Sequence, residues 1–264
     1  MILALSDWWG LAAAIGAALA YAVLALASRR LGAGAIRGLL FAAWLLHSVV
    51  LAEGLLGEPP RFGFAPALSM TVWLVLTVYA IESRLFPQMR AHWALAGLGS
   101  AVVLLALIFP GNSYHAIASP WLPLHWALGI ASYGLFAAAV VHGWLMTRSE
   151  RAMRQASHLE TGVPLMTLER LTFRFVEAGF VLLSATLLVG WVFAEQFYHQ
   201  PARWDHKVVF SVLAWLTFAG LLVGRARLGW RGRKAVRVLY LGAGLLLLGY
   251  VGSRFVLEVI LRRA

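Results

Sequence analysis

The sequence predicts an all-α fold, a polytopic bundle of about eight transmembrane helices with no sizeable water-soluble domain. Hydrophobic residues make up 61% of the 264 residues and charged residues only 12%, about half the charged share of a soluble domain. Apolar runs of about 20 residues, the length that crosses a bilayer, recur along the whole chain. Such a chain can bury a core but cannot cover its outside with polar side chains, so lipid must cover it.

Eight apolar runs account for most of the chain and predict a single transmembrane domain over 1–264. The first run is expected to be retained, because no Lys or Arg precedes it as in a cleavable signal. The runs fall near 8–28, 35–56, 66–83, 91–109, 122–146, 173–195, 207–224 and 235–261, and the third and seventh are the shortest. A loop over about 147–172 is the longest predicted connection.

The net charge of +11 lies in short clusters between the apolar runs. A basic chain can indicate nucleic-acid binding, but this clustering is typical of the loops of a membrane protein. Counted by alternate connections, 16 of the Lys and Arg residues fall on one side and six on the other. The rich side is expected to face the cytoplasm. Eight spans then put both termini in the periplasm, with the lipid bilayer and no nucleic acid as partner.

Several kinds of chemistry are excluded by residue types. The chain has no cysteine, which excludes disulfides, iron–sulfur clusters, thiolate zinc sites and the C-x-x-C-H attachment of haem. It also lacks the G-x-S-x-G, P-loop and H-E-x-x-H patterns of hydrolysis and phosphate chemistry. We therefore assign no catalytic residue.

Ionisable residues inside apolar runs are costly and mark functional sites by default, and His47 and His125 are the two histidines there that lie in the outer half of their predicted helices. His47 lies in the middle of the second run and His125 just inside the fifth, at depths of ~13 and ~6 Å from the outer end of each helix. Imidazole is an axial ligand of haem iron, so the two could flank one haem. In the alternative, which spacing alone favours, each imidazole hydrogen-bonds a neighbouring helix.

The external segment before the seventh run concentrates Trp204, Asp205, His206 and Lys207. Trp204 could stack on a porphyrin, and Lys207 with Arg203 could pair with its two propionates. The alternative is an ordinary interfacial belt in which Asp205 caps the seventh helix.

A series of motifs follows one order from residue 168 to residue 252. They include Leu168-Glu169-Arg170-Leu171, Glu177-Ala178-Gly179-Phe180, Gly190-Trp191-Val192-Phe193-Ala194, Arg203-Trp204-Asp205-His206-Lys207, Leu213-Ala214-Trp215-Leu216 and Gly229-Trp230-Arg231. In this order they resemble the cytochrome c assembly family of haem-handling membrane proteins, the CcsA/ResC and CcmC superfamily. In the first half, Phe62-Gly63-Phe64 and Pro123-Leu124-His125 with Ser132-Tyr133 resemble its smaller YpjD or HemX-like branch.

The resemblance implies a haem-handling protein of the bacterial inner membrane that holds haem b near the periplasmic leaflet. It implies His125 as an axial ligand and His47 as the counterpart of a second, membrane-buried histidine. The chain ends before the family's second external histidine and has His206 where the family has proline, so we hypothesise that His206 replaces it. The implied cofactor site comprises His47, His125, Trp204, Asp205, His206 and Lys207, with His47, His125 and His206 as candidate iron ligands.

Three functions remain open from the sequence. The first is a haem-handling factor of cytochrome c biogenesis, with other cytochrome c assembly proteins as partners. The second is a cofactor-free membrane transporter or an accessory subunit of a membrane complex, with polar groups between its spans. The third is a b-type electron carrier, which requires a second pair of histidines at another depth.

Overall fold

Backbone polar groups inside a bilayer must be satisfied within the chain, so apolar runs of this length fold as helices. The computed structural model describes residues 7–57, 61–86, 91–113, 121–154, 163–193 and 204–261. Two short strands, β1 (Arg61–Phe62) and β2 (Asn112–Ser113), pair antiparallel. Eight long helices lie in this part of the chain: α1 (Asp7–Ala27), α2 (Ala33–Leu56), α3 (Phe64–Leu85), α4 (His92–Ile108), α5 (Trp121–Arg154), α6 (Leu165–Val192), α7 (His206–Leu228) and α8 (Gly232–Leu247, which continues to Ile260).

Seven helices among the described residues are long and apolar enough to cross a membrane, which confirms the predicted all-α polytopic fold. The exception is α4, whose 17 residues span ~26 Å of an apolar layer about 30 Å thick. The prediction that the third and seventh helices are the shortest is wrong, because α3 has 22 residues and α7 has 23. Both helices continue into charged turns, at Arg84 and Arg225, that the hydropathy pattern had assigned to connections.

The predicted loop over 147–172 is also largely helical. The 34-residue helix α5 runs on to Arg154, and α6 begins at Leu165. Strong helix formers fill the end of α5, and the Thr147 hydroxyl donates back to the Gly143 carbonyl at 2.8 Å, one turn earlier. Residues 155–162 lie outside the described part of the chain.

The described residues divide into two compact units. The first holds α1 to α4, the strand pair and the chain from Leu257 onward. Small residues on α1, among them Ala17 and Ala18, are buried and let the neighbouring helices approach closely. The Ser100 hydroxyl of α4 donates to the Ala18 carbonyl at 2.9 Å. A single domain over 1–264 stays a prediction.

The second unit holds α5 to α8 as far as Val256 and is built around an aromatic stack. The rings of Phe136 and Phe218 lie 3.7 Å apart and nearly parallel. Each ring also covers a glycine of a neighbouring helix: a Cβ on Gly179 would come within 3.2 Å of Phe136, and one on Gly242 within 2.7 Å of Phe218. Glycine at these two positions therefore lets the helices close on the stack.

A tyrosine hydroxyl interrupts the regular helix at the end of α8. The Tyr133 hydroxyl donates to the Leu246 carbonyl, and the backbone N–H of Tyr250 is its second partner. In an α-helix that carbonyl and that N–H would bond to each other. The chain instead continues as π-helical turns over Leu248–Gly252 and Val256–Ile260, as expected where a side chain inserts into the helical ladder.

The charge-rich connections of the second unit meet at one end, which we call the basic end (residues 148–154 and 225–237). Glu150 on α5 pairs with Arg233 at the start of α8, with Oε2 and Nε 3.4 Å apart. Glu169 on α6 accepts a hydrogen bond from Arg225 at 2.9 Å. The two connections predicted to lie on the same side of the membrane are thus joined. His125 begins the other end of α5, 26 residues or ~39 Å from Arg151.

Candidate functional site

His125 lies in the first turns of α5 against the backbone of α6. Its Nδ1 lies 3.1 Å from the Thr186 carbonyl oxygen, and since a carbonyl only accepts, Nδ1 carries the proton. In a neutral imidazole Nε2 is then the nitrogen with the lone pair. Histidines that ligate metals usually have this arrangement, with the other N–H donated to a carbonyl or carboxylate.

Gly190 makes room for this imidazole. A Cβ at Gly190 would lie 2.9 Å from Cε1 of His125 and 3.3 Å from Nδ1, closer than real Cβ contacts come. The ring therefore packs over the bare backbone of α6, one turn after Thr186. Glycine and carbonyl together hold the imidazole in one orientation.

Aromatic side chains surround this end of the second unit. Trp121 stacks on Phe193 with ring centroids 4.5 Å apart and planes 11° apart. Trp191, next to Gly190, contacts Trp204 edge to face at 5.9 Å. Trp191 is 54% exposed and Trp204 65%, so apolar ring surface is available to a flat ligand.

Asp205, His206 and Lys207 form the start of α7. The Asp205 Oδ1 accepts a hydrogen bond from the Val208 N–H at 2.9 Å, so Asp205 caps the helix, as one of the two alternatives predicted. His206 is exposed, whereas Lys207 is half-buried. Arg254, in the short helical turn after α8, lies close enough to Lys207 to interact with it electrostatically.

His47 lies in the first unit and is fully buried. Its Nε2 lies 2.8 Å from the Ser69 hydroxyl, and its Nδ1 lies 3.5 Å from the Tyr21 hydroxyl. Both ring nitrogens thus have partners on neighbouring helices, which is the alternative that spacing favoured. Haem ligation by His47 stays a prediction, and it would require one of these two bonds to break.

The predicted site residues are divided between the two units. His125, Trp204, Asp205, His206 and Lys207 belong to the second unit and His47 to the first, while Arg203 lies outside the described residues. Sequence reasoning missed Thr186, Arg254 and the steric role of Gly190. No sequence motif links these residues to the site, because Thr186, for example, lies 61 residues from His125 in the chain. Among the described residues, no group of three or more His, Asp or Glu side chains could hold a metal ion.

Comparisons with known proteins agree on one family. The family described as "Cytochrome C assembly protein" matches residues 33–261. The chain is 28% identical to the inner membrane protein YpjD of Escherichia coli K12, over 86% of each chain. It is 31% identical to an uncharacterised 28.8 kDa protein of Azospirillum brasilense, over 75% of this chain and 76% of that one. It is 24% identical to the cytochrome c biogenesis protein CcsA of Thermosynechococcus vestitus, over 81% of this chain and 72% of that one. No solved structure matches the chain at a significant level.

Proposed function

We propose that the chain, which belongs to the cytochrome c assembly protein family, is an inner-membrane haem-handling protein of cytochrome c biogenesis. The family match covers most of the chain, and a relative named for cytochrome c biogenesis aligns with most of its length. An inner membrane protein aligns over a still larger share. These likenesses support the class of function, and the histidine at the outer end of α5 supports the cofactor.

The observation that carries the proposal is the orientation of the His125 imidazole. Its Nδ1–H is donated to the Thr186 carbonyl, so Nε2 is the donor atom that haem iron takes. Gly190 lets the ring pack closely against α6, which restricts the direction of that donor. The residues therefore fit an axial ligand, and we assign haem b because the chain has no cysteine for covalent attachment.

The neighbouring side chains suit the rest of such a cofactor. Trp121, Trp191 and Trp204 offer exposed aromatic surface that excludes water and packs against a planar ring. Among the described residues, Lys207 and Arg254 are cations that would neutralise propionates. Haem, when bound, supplies an iron that accepts one or two imidazole nitrogens. We propose His206, exposed at the start of α7, as the second ligand; ligation by His47 stays a prediction from the sequence.

Absorption spectroscopy of the purified protein tests the proposal. Protein made with ample haem supply and purified in mild detergent should be red and show a Soret band of a histidine-ligated b-type haem. His125→Ala should remove the band or shift it, because the oriented donor nitrogen is lost. His142→Ala is the control, since His142 lies on the same helix but donates to the Ala138 carbonyl within it.

Two results would count against the haem proposal. A colourless wild-type protein that also fails to bind added haemin would favour the cofactor-free accessory role. A Soret band that is identical in wild type and His125→Ala would show that the iron ligand is a residue other than His125. Melting temperatures of both variants must be measured alongside, so that a lost band is not mistaken for a lost fold.

A further inference from the structure

A groove lies between α5 and α8 at the basic end of the second unit, far from His125. It encloses about 300 Å³ where the charged last turns of α5 pass the first turns of α8. It is lined by Thr147 and Arg151 of α5 and by Arg233, Val236, Arg237 and Tyr240 of α8.

Two of the three arginines in the groove have no carboxylate partner among the residues that the structure describes. Of its three arginines, Arg233 is paired with Glu150 at 3.4 Å. Neither Arg151 nor Arg237 forms an ion pair within the described residues. Two guanidinium groups on facing helices thus share one groove, and neither has a carboxylate partner among the described residues. A bound phosphate would stabilise this arrangement by charge-assisted hydrogen bonds.

Neutral polar side chains and an apolar floor complete the groove. The Tyr240 and Thr147 side chains are hydrogen-bonded to each other, with Arg151 within electrostatic range of the Tyr240 hydroxyl. Val236 is buried and packs beside Gly143 of α5, where an added Cβ would make an ordinary van der Waals contact with it at 3.5 Å.

Apolar surface continues from the groove toward the membrane. Trp144 lies one turn before Thr147 on α5 and is 37% exposed, and Leu241 follows Tyr240 on α8 and is 59% exposed. A Trp and a Tyr beside arginines are typical of the level of lipid headgroups. A free phosphate ester would use the cations alone, whereas a phospholipid uses both the cations and this adjoining apolar surface.

We propose that this groove binds the phosphate of an anionic phospholipid, whose acyl chains lie along the exposed faces of α5 and α8. Arg151 and Arg237 hold the phosphate oxygens, and Tyr240 marks the boundary between headgroup and chains. The site is separate from the haem proposal, and neither depends on the other. Basic pockets between transmembrane helices are where membrane proteins hold anionic headgroups.

Native mass spectrometry of the full chain in detergent tests the site with two probes, phosphatidylglycerol and phosphatidylcholine with identical acyl chains. Wild type should retain phosphatidylglycerol preferentially. R151Q and R237Q should each weaken that retention about fivefold, the effect of one arginine at an anionic headgroup. R227Q is the matched control, because Arg227 is an exposed arginine of the same basic end and does not line the groove.

Three outcomes overturn the proposal. One is equal retention of the two lipids by wild type, and another is an equal loss in R227Q. The third is a rise in melting temperature with inorganic phosphate as large as that with phosphatidylglycerol, which would make the ligand a free anion. The two arginines lie on different helices, so either groove variant decides alone if the other fails to fold.

Discussion

The imidazole of His125 owes its orientation to two backbone features of α6, the Thr186 carbonyl and the missing Cβ of Gly190. The carbonyl selects the tautomer, and the glycine sets how closely the ring approaches the helix. Each contributes to ligand orientation more than to stability. A substitution at Gly190 should therefore weaken cofactor binding while changing the stability of the fold only slightly.

Gly190→Ala tests this separation. The added methyl would lie 2.9 Å from Cε1 of His125, so the imidazole must move and its bond to Thr186 must lengthen. The destabilising overlap, about 1–3 kcal/mol, is partly offset by about 1 kcal/mol of helix propensity gained over glycine. We expect a small change in melting temperature but a shifted Soret band and weaker haem binding.

Gly220→Ala provides the matched control for that experiment. Gly220 lies in α7 with no atom within 4 Å of its would-be Cβ, so it gains the same propensity without a collision. Its spectrum should equal that of wild type. If Gly190→Ala has the spectrum and the haem affinity of wild type, Gly190 does not set the position of the imidazole.

Among the elements, α8 departs most from a regular helix, and the cause lies on another helix. The Tyr133 hydroxyl of α5 occupies the place between the Leu246 carbonyl and the Tyr250 N–H. The π-helical turns that follow carry Arg254 toward Lys207. A single hydroxyl of α5 thus lies at the start of the irregular segment that carries Arg254.

Tyr133→Phe should test the role of this hydroxyl. Removing the hydroxyl leaves a buried carbonyl and a buried N–H without their shared partner, which costs about 1–3 kcal/mol unless the helix rewinds. We expect a lower melting temperature and faster amide hydrogen exchange over residues 246–256. Tyr240→Phe, at a 40% exposed tyrosine of the same helix, should leave the exchange over residues 246–256 unchanged. Unchanged exchange in Tyr133→Phe would show that the turns form without the inserted hydroxyl.

The number and order of the helices could be predicted from hydropathy, because each span carries its own signal. Helix ends could not, since Arg and Glu are strong helix formers and α5 therefore continues past the predicted loop start at 147 to Arg154. His125 could be singled out by its depth, but its contacts with Thr186 and Gly190 arise from the packing of α5 on α6. His47 is the opposite case. Its depth suggested an iron ligand, whereas helix packing gives its Nε2 a hydrogen-bond partner in Ser69.

For the whole molecule, orientation in the membrane decides whether the proposed haem site faces the periplasm. The structure joins two charge-rich connections at one end through Glu150 and Arg233, and His125 begins the opposite end of α5. If the positive-inside rule holds here, the basic end is cytoplasmic and the His125 end is periplasmic, with both termini on the periplasmic side.

Cysteine labelling can test this orientation cleanly, because the chain contains no cysteine of its own. Single variants at two exposed positions, Ser113→Cys at the end of β2 and Arg227→Cys near the end of α7, report opposite sides. In intact spheroplasts a membrane-impermeant maleimide should label the cysteine at 113 and leave the one at 227 unlabelled until the cells are lysed. The reverse pattern would invert the topology and place the His125 end in the cytoplasm, where haem for periplasmic cytochrome assembly could not be presented. Labelling of both positions in intact spheroplasts would contradict an odd number of spans between them, because the three helices α5, α6 and α7 lie between residues 113 and 227.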